Sequence, residues 1–132
     1  MGGLNFGQWN VLRGALLELA LQSAELVGLL KTIKNPLNPL AFEDLPSDSQ
    51  QAELLEVVNE IQTAVKEMCT SLEIELDPIR VRHKVHSSAA YMKAVIGNIR
   101  PEQLKGYGSL NEHNQKLLRG FVQRISESLQ KL

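Results

Sequence analysis

The chain has 132 residues, with 43% hydrophobic and 22% charged positions and a formal net charge of −1, which describes one globular domain, residues 1–132, and excludes a disordered chain. Aromatic residues make up only 5%, so aliphatic side chains must fill the core and helix-on-helix packing is favoured over a β-sandwich. The single cysteine, Cys69, excludes an internal disulfide and a cysteine zinc site.

The near-zero net charge conceals an asymmetry along the sequence. Residues 1–75 carry four Lys or Arg against eleven acids, a formal charge of −7, whereas residues 76–132 carry ten against four, a charge of +6, and all three histidines. A chain of this kind suits one subunit of an assembly, whose acidic half meets a neighbour and whose basic half meets an anion.

The first predicted helix spans residues 4–33. Its apolar seam steps by three and four along Trp9, Leu12, Leu16, Leu19, Ser23, Leu26, Leu30 and Ile33. Leu17 and Leu21 lie off that seam, so the helix has more apolar girth than one neighbour covers, and we expect self-association or a partner chain. Glu18 and Glu25 interrupt the most apolar stretch, so no membrane contact is expected. The sequence opens without a signal-peptide pattern, and we expect a cytoplasmic protein.

The second predicted helix spans residues 48–75 and follows a proline-rich linker. Ser47 and Gln50 have the spacing of a capping box at its start. Its apolar positions are Leu54, Val58, Ile61, Val65, Met68 and Leu72.

The third predicted helix spans residues 78–97. Asp77 followed by Pro78 is typical of a helix start. Its apolar face is expected along Val81, Val85, Ala89, Met92 and Ile96, with that face turned inward.

A loop that contains several glycines and a proline, with a short helical turn at residues 101–105, leads to the last predicted helix, residues 110–131. Ser109 and Glu112 suggest a capping box there, and the apolar face is expected along Leu110, Leu117, Phe121, Ile125 and Leu132. No segment alternates as a strand does. The sequence therefore predicts an all-α, up-and-down bundle of four main helices plus a short helical turn.

The stretch DPIRVRHKVHSSAAY, residues 77–91, concentrates cations where a helix begins. Three permanent charges in its first two turns oppose the helix dipole, at a typical cost of about 0.3–1 kcal/mol each. An anion bound at the helix start would reverse that cost. Acids of the first half, such as Glu67, Glu73 and Glu75, offer the alternative of neutralisation within the fold. The residues predicted to contact nucleic acid or another anion are Arg80, Arg82, His83, Lys84, His86, Lys93, Arg100, Lys105, Lys116, Arg119 and Arg124.

Nucleic acid is the first candidate partner, because Lys and Arg neutralise phosphates and the loop LKGYG, residues 104–108, adds a stackable tyrosine. In size, helical content and lack of catalytic residues, the whole chain resembles the small helical subunits of CRISPR effector complexes. That resemblance implies a non-catalytic accessory subunit that meets other protein subunits or copies of itself and contacts an RNA or DNA backbone. An acidic protein partner is the alternative to nucleic acid.

A second resemblance concerns HKVHSSAAYMKA, residues 83–94, which is similar to the phosphoacceptor stretch of histidine phosphotransfer domains. The resemblance implies that His83 accepts a phosphoryl group. His86 stands where that family has lysine and Ser87 where it has glycine, so two of its functional positions differ.

A third resemblance is to the loose pattern of HEPN ribonucleases, an arginine and a histidine with four to six residues between them. Arg80 and His86 satisfy it, although Val81 stands where that family usually has a polar residue. A metal site is not expected, since His83 and His86 have no cysteine or suitably spaced carboxylate beside them. No cofactor is predicted either, and the sequence favours a protein without catalytic residues.

Overall fold

A computed structural model describes residues 3–132. The helices are α1 (Phe6–Thr32), α2 (Asp48–Ser71), α3 (Val81–Asn98), α4 (Pro101–Leu104) and α5 (Glu112–Leu129), with a 3₁₀ turn at Lys105–Tyr107. No strand occurs among these described residues, and the all-α prediction is confirmed. The chain divides into two compact units with the boundary between Asp77 and Pro78. The single-domain assignment stays a prediction, and each unit is described by itself.

The first unit is an antiparallel helical pair, α1 against α2. At one end the side chain of Gln51 donates a hydrogen bond to the backbone carbonyl of Leu30. An ion pair joins Lys34, just past α1, to Asp48 at the start of α2. This hydrogen-bonded ammonium also holds the pKa of Asp48 below its ordinary value. The start of α2 is thereby fixed to the end of α1.

Capping side chains fix both helix starts in the first unit. Asn5 and Gln8 form a capping box at α1, and Ser47 and Gln50 form another at α2. The second box confirms the prediction from the sequence. Each box satisfies backbone N–H groups that a helix start otherwise leaves without a partner.

The core of the first unit forms around Leu16, which is 1% exposed and packs with Val65 and Ile74. Ile74 reaches this cluster through a Schellman turn at the end of α2. Its N–H donates to the carbonyl of Cys69 over 2.9 Å, while Glu73 adopts the left-handed backbone conformation with a φ of 55°. The turn therefore both ends α2 and returns an apolar side chain to the core.

The second unit packs α3 against α5, with α4 contacting both. Its buried cluster consists of Ile96 from α3 and Val122 and Leu129 from α5, and Pro101 at the start of α4 is also buried. The side chain of Asn111 caps α5 by accepting from the N–H of Asn114 over 2.8 Å. The Ser109–Glu112 capping box predicted for this helix is therefore wrong.

The start of α3 also differs from the prediction. The helix begins at Val81, three residues after Pro78, and the predicted cap Asp77 does not cap it. Instead Asp77 accepts a hydrogen bond from the guanidinium of Arg13 over 2.7 Å, and that guanidinium lies 5.6 Å from the centre of the Trp9 ring. The carboxylate of Asp77 therefore belongs to the first unit, where Arg13 is its partner.

The predicted apolar faces are only half buried, because each long helix packs against only one other long helix in its unit. In α1, Leu16, Ser23 and Leu30 are buried, whereas Leu19 and Leu26 of the same predicted seam are exposed. The predicted face of α5 is wrong: Val122 and Leu129 are buried, and the expected core residues lie in solvent. Those exposed residues are Leu117, Phe121, Ile125 and Leu132.

We predict that Leu16→Ala lowers the free energy of unfolding of the first unit by about 2–5 kcal/mol, because it leaves a cavity at a fully packed site. Leu19→Ala, on the same helix but 46% exposed, is the matched control and should cost less than half as much. Urea unfolding followed by the fluorescence of Trp9, the only tryptophan and part of this cluster, measures both. Equal losses in the two variants would contradict the packing described.

Candidate functional site

The basic stretch lies at the first two turns of α3. Arg80 is the residue before the helix, with extended backbone, and no side chain caps the helix start. Arg82, His83 and Lys84 follow in the first turn, which holds no acid. The unfavourable combination of cations with the positive end of the helix dipole is therefore present in the structure.

These two turns also contain no buried residue. Residues 81–87 are all exposed, and the first buried residue of α3 is Ala89. Val81, which the sequence analysis expects to face inward, is 72% exposed, and Val85 is exposed as well. The expectation fails because the buried positions of α3 begin in its third turn, at Ala89. The cations therefore project from an exposed helical segment.

The acids of the second unit do not neutralise its cations. Residues 78–132, all of them described, contain three acids, Glu102, Glu112 and Glu127, against ten Lys and Arg. Within this unit the structure shows one ion pair, from Arg119 to Glu102 at 3.4 Å between side-chain nitrogen and oxygen. Arg82 and the other cations at the α3 start form none with these acids.

Some predicted cations share one side of α3. Arg82, His86 and Lys93 are four and seven residues apart, so they lie within about 40° of one another around the helix. Their row is about 16 Å long, given a rise of about 1.5 Å per residue. Arg100 follows at the residue before α4. Arg80 and Lys84, four residues apart, lie together about 160–200° around the helix from Arg82, so the segment carries cations on two opposite sides.

The predicted cations of α5 divide between two sides. Lys116 and Arg124 line a shallow cleft together with His113, Leu117, Gly120 and Phe121. Arg119 lies outside this cleft, about 60° around the helix from Lys116 and nearer the buried Val122, and is paired with Glu102. Lys131 is not among the predicted residues, although it follows Arg124 by seven residues and so continues the same side.

Lys105 lies in the 3₁₀ turn that also holds Tyr107, and together with Arg119 it contributes to lowering the pKa of Glu102. The tyrosine ring is 94% exposed. Gly108 ends this turn with a φ of 147°, a conformation that favours glycine. An exposed aromatic ring beside a cation is the arrangement on which an unpaired base can stack.

The two histidines singled out for chemistry are exposed on α3. His83 and His86 are three residues apart, and neither forms a hydrogen bond with a carboxylate of the second unit. Such a bond is the usual means of orienting and activating an imidazole. The phosphotransfer and ribonuclease alternatives at these two histidines stay predictions.

No family model, curated protein or solved structure matches the chain. Across residues 3–132, no group of three His, Cys, Asp or Glu side chains comes together that could hold a metal ion. None of the helices in that range combines the length and apolar character needed to cross a membrane.

Glu102 allows a prediction about pH. Its pKa lies below the usual 4.5, chiefly because its own backbone N–H bonds the carboxylate and secondarily because of Arg119. A lowered folded-state pKa contributes stability above pH 4.5 that is lost as the pH falls through the folded value. Glu102→Gln should therefore lower the melting temperature at pH 7, and this loss should shrink as the pH falls below 4.5, measured by circular dichroism at 222 nm.

Arg119→Gln serves as the comparison, since it removes only the weaker cause. Arg119→Gln should lower the melting temperature at pH 7 by less than Glu102→Gln does. A Glu102→Gln deficit that persists unchanged at pH 3 would show that the carboxylate charge is not what stabilises this end of the unit.

Proposed function

We propose that the chain is a non-catalytic accessory subunit of a larger cytoplasmic assembly, and that its basic second unit contacts a nucleic-acid backbone. The observation that carries this proposal is the charge of residues 78–132, ten Lys and Arg against three acids, with the single ion pair Arg119–Glu102 within the unit. Cations left without acids in their own unit favour an external anion.

Phosphate is the anion that suits this surface best. The α3 start offers backbone N–H groups with no capping side chain, together with Arg82 and Lys84, and both kinds of donor attract phosphate oxygens. The row from Arg82 to Lys93 is about 16 Å long, which corresponds to the rise of about five base pairs in B-form DNA. Backbone contacts of this kind carry affinity without reading sequence.

The turn at Lys105–Tyr107 supports a nucleic acid with unpaired bases over an acidic protein partner. Tyr107 offers almost the whole of its ring to solvent, and stacking on such a ring tolerates any base. An acidic protein surface would use the cations but would gain little from this ring.

The first experiment is the absorbance ratio at 260 and 280 nm of the protein purified at low salt. A ratio well above that of protein alone, abolished by nuclease treatment, supports the proposal. If the ratio is that of protein alone and no binding to labelled RNA or DNA is detected at 50 mM salt, an acidic protein becomes the better candidate partner.

We predict that replacing Arg80, Arg82 and Lys84 together by alanine weakens binding to every nucleic-acid sequence alike. If each cation contacts one phosphate, the slope of log K against log salt concentration should flatten by about 2.7, or about 0.9 per contact on duplex DNA. Helix content should be retained, because the removed charges oppose the helix dipole. Fluorescence anisotropy across a salt series measures both the affinity and the slope.

The matched control removes three lysines of the first unit, Lys31, Lys34 and Lys66, and makes the same change in net charge. It should leave the slope unchanged. If both triple variants flatten the slope equally, binding depends on the overall charge of the protein and not on the residues at the start of α3. Loss of helix content in the Arg80, Arg82 and Lys84 variant would show instead that these cations hold the fold.

Two single substitutions separate the catalytic alternatives. His83→Gln abolishes labelling by a phosphorylated receiver domain if the chain is a phosphotransfer module. His86→Ala abolishes RNA cleavage while binding survives if it is a ribonuclease. Neither substitution should alter nucleic-acid binding more than the loss of one cation does under the accessory-subunit proposal.

A further inference from the structure

Helix α2 has a second apolar side that α1 does not cover. Its members recur at steps of three and four and are all exposed; they are Leu54, Val57, Ile61, Ala64 and Met68. We refer to these five residues as the α2 stripe. It extends over about 21 Å, given a rise of about 1.5 Å per residue. One edge of the stripe is lined by Glu53, Glu60 and Glu67, spaced seven residues apart, and no cation stands among them.

Helix α5 has a similar uncovered side. Its members are exposed and continue past the end of the helix; they are Leu117, Phe121, Ile125, Ser128 and Leu132. We refer to these residues as the α5 stripe. Two shallow clefts that share Phe121 and Arg124 run along it and form one continuous surface. One edge of this stripe carries Lys116, Arg124 and Lys131, with Glu127 as the one acid among them.

The two charged edges have the same handedness. In α2 the glutamates lie about 80–120° around the helix from Ile61, on the side away from the face that contacts α1. In α5 the cations lie about 60–140° from Phe121, again on the side away from the buried face and in the same rotational sense. When two such stripes face each other, the charged edges meet only if the helices run antiparallel.

We propose that the α2 stripe of one copy of this chain packs antiparallel against the α5 stripe of a second copy. This arrangement covers two apolar stripes of comparable length. It also places Glu53, Glu60 and Glu67 opposite the cationic edge of the partner. Stripes of opposite charge are complementary in the manner of the edge positions of coiled coils, which select partner and orientation.

Pairing of like stripes is disfavoured by the same geometry. Two α2 stripes packed antiparallel would oppose three glutamates with three glutamates, and two α5 stripes would oppose cations with cations. Each chain carries one stripe of each kind. The contact therefore either closes reciprocally in a dimer or continues into a larger ring or chain.

The test uses charge reversal in two full-length variants freed of nucleic acid by nuclease treatment. The acid-to-lysine variant carries Glu53→Lys, Glu60→Lys and Glu67→Lys, and the basic-to-glutamate variant carries Lys116→Glu, Arg124→Glu and Lys131→Glu. In sedimentation velocity at 50 mM salt, the wild type should exceed the 14.7 kDa monomer mass. Each variant alone should dissociate, with at least a tenfold higher dissociation constant.

Mixing the two variants should restore association. The acid-to-lysine variant retains a normal α5 stripe for the normal α2 stripe of its partner, and the two reversed edges again complement each other. A control with Glu18→Lys, Glu25→Lys and Glu43→Lys changes the charge of the first unit equally, away from the stripe, and should associate as the wild type does. Mixed variants that stay dissociated while both retain wild-type helix content would overturn the proposal.

Apolar substitutions test the stripes without changing charge. Phe121→Ser and Val57→Ser, at residues 54% and 58% exposed, should each weaken association at least tenfold without unfolding the protein. Tyr107→Ser, at a residue that is 94% exposed and off both stripes, should have no effect on association. A wild type that stays monomeric at every concentration also overturns the proposal. If that monomer binds anionic phosphatidylserine vesicles and Phe121→Ser abolishes the binding, the α5 stripe is a membrane-contacting surface.

This inference does not depend on nucleic-acid binding. The variant lacking Arg80, Arg82 and Lys84 should associate as the wild type does, since those residues lie on neither stripe. Conversely, Phe121→Ser changes no charge, so nucleic-acid binding measured per subunit should keep the salt dependence of the wild type. The failure of one proposal is therefore distinguishable from the failure of the other.

Discussion

A helix that packs against one neighbour buries one side, and the long helices of this chain have apolar residues on two sides. In the first unit α1 and α2 cover only each other, so Leu16 is fully buried while Leu19, one turn away, is not. The second unit repeats the pattern in α5, where Val122 is buried and Phe121 is exposed. Because apolar surface left in water is unfavourable by roughly 25 cal/mol per Å², this incomplete coverage underlies every association surface described above.

The sequence predicts the helices well and their buried faces poorly. The steps of three and four are a local property, so the four long helices appear within a few residues of their predicted bounds. Which apolar side is buried depends on where the neighbouring helix lies. For α5 the pattern contains two apolar sides, one through Phe121 and one through Val122, and the periodicity alone favours the wrong one. Helix capping likewise is predictable only where the contact is local. Ser47 pairs with Gln50, three positions away, as predicted, whereas Asp77 pairs with Arg13, 64 positions away, and does not cap α3.

The candidate site divides in the same way. Segregation of charge into the two halves of the chain is a property of composition, and the structure leaves it unchanged. The pairing of Arg119 with Glu102, seventeen residues away in the sequence, depends on α4 packing against α5 and has no local signature. The sequence equally does not predict that Val81 is exposed, since Val81 occupies the same apolar position in the helical pattern as buried Ala89. Sequence therefore identifies which residues carry charge, while packing decides which of them are available.

The bare first two turns of α3 have a consequence for dynamics. Residues 81–87 have no buried side chain, no capping side chain at Arg80 and a first turn of cations that opposes the dipole, so packing contributes little to the helix there. Such a segment opens locally at a small fraction of the global free energy, without disturbing Ile96 and the cluster around it. Its amides should exchange with solvent early, and its Arg and Lys bonds are natural sites for trypsin. A bound phosphate would close the segment, which makes ligand binding and local folding at this helix end one and the same equilibrium.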